Sequence, residues 1–156
     1  MLFTMKSKLL QMNNGRRIFG LVFMPSEDVF PTLLKFSSRN NLSASQFVGN
    51  GDIKNIDVGV DSFKMDGPKK ITMKDPLGIV SLIGSITIEN RTKTVIKAQV
   101  ILNDALGKLF GGSLLSAKVD HKLEMILEES PSYLQDEIAS ADDPEGKITS
   151  GDKSYE

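Results

Sequence analysis

Between Ala44 and Leu127 the apolar residues recur at strand spacing, and the breaks between runs are short and rich in turn formers. That pattern constrains the fold more than any other feature of the chain. Strands joined by hairpin-length links pair antiparallel with their neighbours, because a parallel pair needs a long crossover. Candidate strands cover 44–48, 56–64, 70–74, 78–88, 94–102 and 117–127, with an earlier one at 16–24. Gly49-Asn50-Gly51-Asp52, Asp66-Gly67-Pro68 and Asp75-Pro76 read as turns between them, and Glu89–Lys93 as a hairpin link. Gly107 and the Gly111-Gly112 pair mark tight backbone before the last strand.

Only one stretch has a helical face. Pro25 closes the 16–24 strand, and Ser26-Glu27-Asp28 reads as an N-cap followed by acids suited to a helix's positive end. Val29, Leu33 and Phe36 follow at helical spacing, with Phe30 and Leu34 beside them, and Asn40-Asn41 supplies the stop. Pro31 either kinks the first turn or marks the true start. The expected architecture is α+β: a mainly antiparallel β-sheet with one principal covering helix.

At 156 residues the chain suits one domain with an adequate core. It contains no cysteine, so disulfides and thiolate metal sites are excluded. The first residues, broken by Lys6 and Lys8, do not form a signal-peptide core, and no apolar run reaches the roughly 20 residues of a membrane span. The expected location is the cytoplasm, with no membrane partner. Charge divides along the chain. Residues 1–127 hold 17 Lys and Arg against 11 Asp and Glu, whereas residues 128–156 hold 2 against 9. Residues 130–156, acidic and rich in turn formers, read as a mobile tail; ahead of it the expected organisation is an N-terminal extension over 1–13 and a domain over 14–129.

Three stretches carry a resemblance. They are Pro25-Ser26-Glu27-Asp28-Val29 leading into the helix, Asp75-Pro76-Leu77-Gly78 through Ile86, and Gly107–Leu115 followed by Val119–Leu127. In order and spacing they resemble the PPC (plants-and-prokaryotes-conserved) domain across about residues 14–129. The resemblance implies a compact α+β domain assembled as a homotrimer. It also implies interaction with other proteins, since plant members carry their DNA-binding AT-hooks outside the domain. The fold is similar to that of acetolactate decarboxylase, a zinc enzyme with histidine ligands. Many prokaryotic members have a His-x-His pair on the strand spanning 94–102 and a further His after the Gly-Gly pair. Residues two apart on a strand share a face, so such a set builds a three-nitrogen metal site. Here those positions hold Lys97, Gln99 and Ser113, and Gly78 stands where the family usually has Glu. An ammonium repels a divalent cation, and amide and hydroxyl are poor zinc donors, so neither a metal nor another cofactor is expected.

Two readings of that locus stay open. Lys97 takes over the metal's positive charge and holds an anion, with Gln99 and Ser113 as hydrogen-bond donors, or it lies on a polar strand face turned to solvent or to a subunit interface. Val95, Lys97, Gln99 and Ile101 share one face; Thr94, Ile96, Ala98, Val100 and Leu102 share the other, which is the expected core. His121, the one histidine, shares alternation with Val119, Leu123 and Met125 and is expected to pack in the core or an interface. Glu124 falls with Lys118, Asp120 and Lys122 on a solvated ion-pair face. No nucleophile–base set or phosphate loop is present. The basic residues Arg16, Arg17, Lys64, Lys69, Lys70 and Lys74 are the candidates for contact with nucleic acid, although no AT-hook or helix-turn-helix is visible. The leading expectation is a non-enzymatic homotrimeric interaction module whose partner, beyond itself, is a protein or nucleic acid. The alternative is a small-molecule pocket at a subunit interface.

Overall fold

The computed structural model describes residues 4–42, 44–61, 68–90 and 92–130. The 131–156 part of the expected tail and candidate residue Lys64 lie outside them. Among the described residues, seven strands and one helix run in the order β1 (Lys6–Asn13), β2 (Arg16–Phe23), α1 (Val29–Arg39), β3 (Ser45–Asp61), β4 (Pro68–Met73), β5 (Leu77–Glu89), β6 (Lys93–Asn103) and β7 (Leu109–Glu129). All strand pairings are antiparallel, in the order β1-β2-β7-β6-β5-β3-β4. A further pairing of β7 with β3 closes β3, β5, β6 and β7 into a ring. This is the α+β arrangement that strand spacing and short links dictate.

The ring closes because β7 is long enough to serve several neighbours. Leu109–Ser113 pair with β6, Leu123–Glu128 pair with β2, and the opposite edge of β7 runs along β3. The inward faces supply the core, which includes Phe23, Phe47, Ile53, Ile86, Leu102, Leu123 and Leu127. Phe47 needs room that only a glycine leaves: a Cβ on Gly84 would fall 2.1 Å from its Cζ.

Two sequence expectations need correction here. The segments 44–48 and 56–64 are parts of one strand, β3, and Gly49-Asn50-Gly51-Asp52 is a bulge within it. Glycine and polar residues signal a break in regular backbone, but not whether the chain reverses or only bends. The helix begins later than expected. Its N-cap is Asp28, which makes no side-chain cap bond and instead lies 3.3 Å from Lys118. Ser26 has φ of 68° and donates its N–H to Val119 O, while the Glu27 carboxylate accepts from the N–H groups of Met5 and Met24. Those acids therefore tie the helix entry to the sheet. Pro31 lies in the first helical turn, where an N–H has no partner to lose.

Val29, Leu33 and Phe36 are buried, and the Phe36 ring meets Phe19 edge-on at 5.1 Å. Asn40 caps the helix, and Asn41 adopts φ of 51°. At the other end of the sheet, Lys6–Asn13 forms the edge strand β1 through a tight turn at Asn14-Gly15, both with positive φ. That Asn-Gly pair is the sequence signal for this hairpin.

Candidate functional site

Directly paired residues in an antiparallel sheet present their side chains on the same face. On the outer face of the ring this produces two rows. Glu128, Gln46, Ser85 and Lys97 pair successively across β7, β3, β5 and β6. Beside them, Ile126, Val48, Ile83 and Gln99 pair across the same strands, and Gln99 pairs onward with Ser113. The β6 alternation is as expected: Ala98, Val100 and Leu102 are buried, while Lys97, Gln99 and Ile101 are exposed.

Gln99 Nε2 donates to Ser113 Oγ at 3.1 Å. Lys97 and Gln99 both line a cavity of about 430 Å³, with Gln46, Ile83, Ser85 and the start of β3 forming its other walls. Ser113 is not in the cavity wall and reaches the site through Gln99. Ser45, 3% exposed, borders the same cavity, but it pairs with buried Ile86 and Glu129, so its hydroxyl, which has no hydrogen-bond partner, is turned to the inner face. Sequence reading misses Ser45, Gln46 and Ser85 because nothing local says that β3 and β5 register against Lys97 in this way. The residues at the locus do not fit zinc: the Lys97 ammonium repels a divalent cation, and the Gln99 amide and Ser113 hydroxyl, hydrogen-bonded to each other, are poor zinc donors.

The two arginines are committed to carboxylates. Arg16 lies 2.9 Å from Glu128. Arg17 is held more tightly: its Nε and Nη2 donate to the two oxygens of buried Glu129 at 2.6 and 3.0 Å, and Nη2 also donates to Asn40 O at 2.7 Å. The hydrogen bond to Glu129 raises the Arg17 guanidinium above its ordinary pKa. An anionic strand approaching here has to displace both glutamates. On β4, Lys69 and Lys70 are exposed, and Lys70 is 4.0 Å from Asp57; Lys74, just beyond the strand, is also exposed.

His121 does not pack in the core as expected. Its side chain is 85% exposed. Val119 pairs with Ile53 and Leu123 with Gly51, so three β7 residues stand opposite Asp52 alone. This bulge turns His121 outward and breaks the period-two pattern. Asp52 braces it, accepting from the N–H groups of His121 and Lys122 at 2.8 and 3.1 Å and contacting His121 Nδ1 at 3.1 Å. Burial pushes the Asp52 carboxyl up, but these hydrogen bonds outweigh it and leave the group below the usual carboxylate range. Hydrogen bonds from Thr72 and Ser116 lower Asp57 in the same way. Glu124 pairs with Lys122 at 2.7 Å, as a solvated ion-pair face implies.

A mainly antiparallel, closed sheet with one covering helix and this ordered set of segments defines a family. Residues 10–131 match the Plants and Prokaryotes Conserved (PCC) domain. The chain belongs to that family. Its fold is shared by a plant- and prokaryote-conserved (PPC) protein of Pyrococcus horikoshii, at TM-score 0.66 and 22% identity over 83% of this chain and 84% of that one. It is also shared by a structure from Bacteroides thetaiotaomicron described as a candidate DNA-binding protein, at TM-score 0.70 and 16% identity over 81% and 85%. A third similar structure, described as a metal-containing protein of Archaeoglobus fulgidus, has TM-score 0.65 and 20% identity over 83% and 86%. No curated protein matches the chain. No helix among the described residues is long and apolar enough to cross a membrane.

Proposed function

We propose that the chain works as a non-enzymatic interaction module that assembles with two further copies of itself through the outer face of the ring. The observation that carries this reading is an apolar row. Ile126, Val48 and Ile83 are in direct register across β7, β3 and β5, yet remain 47%, 52% and 57% exposed. Three adjacent branched side chains on a sheet face gain by removal from water against a neighbouring copy. The family resemblance adds the stoichiometry. Light scattering at micromolar concentration tests it: the expected mass is three times the 17.1 kDa chain, and Val48→Lys shifts it toward the monomer. A monomeric parent protein overturns the reading.

Nucleic acid is the second partner to consider. Its support is the exposed lysine group Lys69, Lys70 and Lys74 at the β4 edge, together with the description of the Bacteroides relative. Phosphate contacts give affinity that falls steeply with salt. Fluorescence anisotropy with a short DNA duplex at low and physiological salt therefore tests it. Affinity lost on Lys70→Ala and Lys74→Ala supports the reading, and absence of binding at low salt rules it out.

A further inference from the structure

We propose that Asp52, Asp120 and His121, gathered where β3 runs along β7, form a site for one zinc-type divalent cation. The site is separate from Lys97, Gln99 and Ser113, where no metal is expected, and it does not depend on self-assembly.

Regular strand geometry would keep these side chains apart. Consecutive residues of a strand point to opposite faces, so Asp120 and His121 should be divided by the sheet. The β7 bulge removes that constraint. Between the pairs Ile53–Val119 and Gly51–Leu123, three β7 residues stand opposite Asp52. As a result Asp120 Oδ2 lies 2.8 Å and Asp52 Oδ2 3.1 Å from His121 Nδ1. One donor atom from each of the three residues falls within 4.8 Å of the others.

Hydrogen bonding alone does not satisfy this arrangement. An imidazole Nδ1 carries at most one hydrogen, whereas two carboxylate oxygens converge on it here. A cation among the three atoms bonds to all of them. Four-coordinate zinc, with bonds of about 2.0–2.2 Å, spaces its donors about 3.3–3.6 Å apart. A small outward swing of the His121 ring, which is 85% exposed, supplies that spacing. Three protein ligands leave a fourth position for water.

Both carboxylates are already oriented for the task. Asp52 Oδ1 accepts the N–H groups of His121 and Lys122 at 2.8 and 3.1 Å, which leaves Oδ2 toward the ring. Such bonds to the outer oxygen hold a ligating carboxylate in place. Lys54 lies 3.8 Å from Asp120 Oδ1, on the side away from the contact with His121. Its charge repels a cation and sets a limit on affinity. The donor set also selects among metals. Calcium takes six to eight oxygens and magnesium a near-octahedral oxygen shell, whereas an imidazole nitrogen beside carboxylates suits zinc.

The test is a zinc titration of the full, untagged chain after dialysis against a chelator, read by calorimetry and by NMR of the imidazole nitrogens. His121 is the chain's one histidine, so its ring signals need no assignment. One zinc per chain is expected, with Nδ1 as the metallated nitrogen. His121→Gln and Asp120→Asn should each weaken binding by at least about tenfold, as loss of even an outer-shell partner does. Lys54→Met should bind zinc more tightly, an effect that a misfolded variant cannot mimic. Gln99→Ala should bind like the parent, since it lies at the other locus. Absence of zinc binding, metallation at Nε2, parent-like affinity in Asp120→Asn, weaker binding in Lys54→Met, or loss of binding in Gln99→Ala overturns the proposal.

Discussion

Replacing Arg17 with alanine should be far more damaging than replacing its neighbour Arg16, although both arginines face glutamates. Arg17 and Glu129 keep only 25% and 9% side-chain exposure, and the guanidinium bridges both carboxylate oxygens and the Asn40 carbonyl at the end of α1. It also lies 5.3 Å from the Phe19 ring centre. One contact set thus ties β2, β7 and the helix terminus together. Arg17→Ala leaves a buried carboxylate with, among the described residues, the residue-17 backbone N–H as its remaining donor. Breaking a fully buried pair costs about 3–5 kcal/mol. Arg17's partial exposure lowers that to about 2–3 kcal/mol, since water reaches one partner. The Arg16–Glu128 pair, at 36% and 42% exposure, is worth about 0–1 kcal/mol. Urea unfolding followed by circular dichroism, at one fixed protein concentration, measures both. For a domain of this size the Arg17 change should lower Tm by roughly 6–12 °C. Equal losses for the two substitutions would refute the claim that burial and bidentate geometry, rather than charge alone, set the value.

Other substitutions probe different links. Gly51→Ala should destabilise by on the order of 3 kcal/mol, read by the same unfolding assay, because φ is 144° and the new Cβ would meet Lys122 O at 2.1 Å. Leu33→Ala, at a fully buried helix position, should cost about 2–5 kcal/mol. Stability should also fall in acid. The folded Asp52 and Asp57 carboxyls titrate below the unfolded value of about 3.9. The stability they add is complete above that pH and is lost as pH falls through their lower folded values. Asp52→Asn should flatten the fall of melting temperature as pH drops below the unfolded value of about 3.9; an unchanged slope would show that the bulge brace adds nothing.

Much of this molecule is legible because it is local. The alternation of Lys97, Gln99 and Ile101 against Ala98, Val100 and Leu102 identifies the inner face of β6 without reference to any other strand. Val29, Leu33 and Phe36 likewise reveal the buried side of α1, and Asn40-Asn41 its end. Pairing register is different, because it depends on which residues of a distant strand lie opposite. No local pattern indicates that β7 loses its alternation at His121, since that slip exists only because Asp52 of β3 faces three residues at once. For the same reason, the sequence alone could name Lys97, Gln99 and Ser113 but not the cavity that Lys97 and Gln99 border. Gln46 and Ser85 join Lys97 through cross-strand pairing, and the orphan hydroxyl of Ser45 arises where β3 enters the closed ring. Side-chain period follows from backbone geometry at each residue, whereas closure and register come from long-range hydrogen bonding and core packing, and those decide which polar groups finish together.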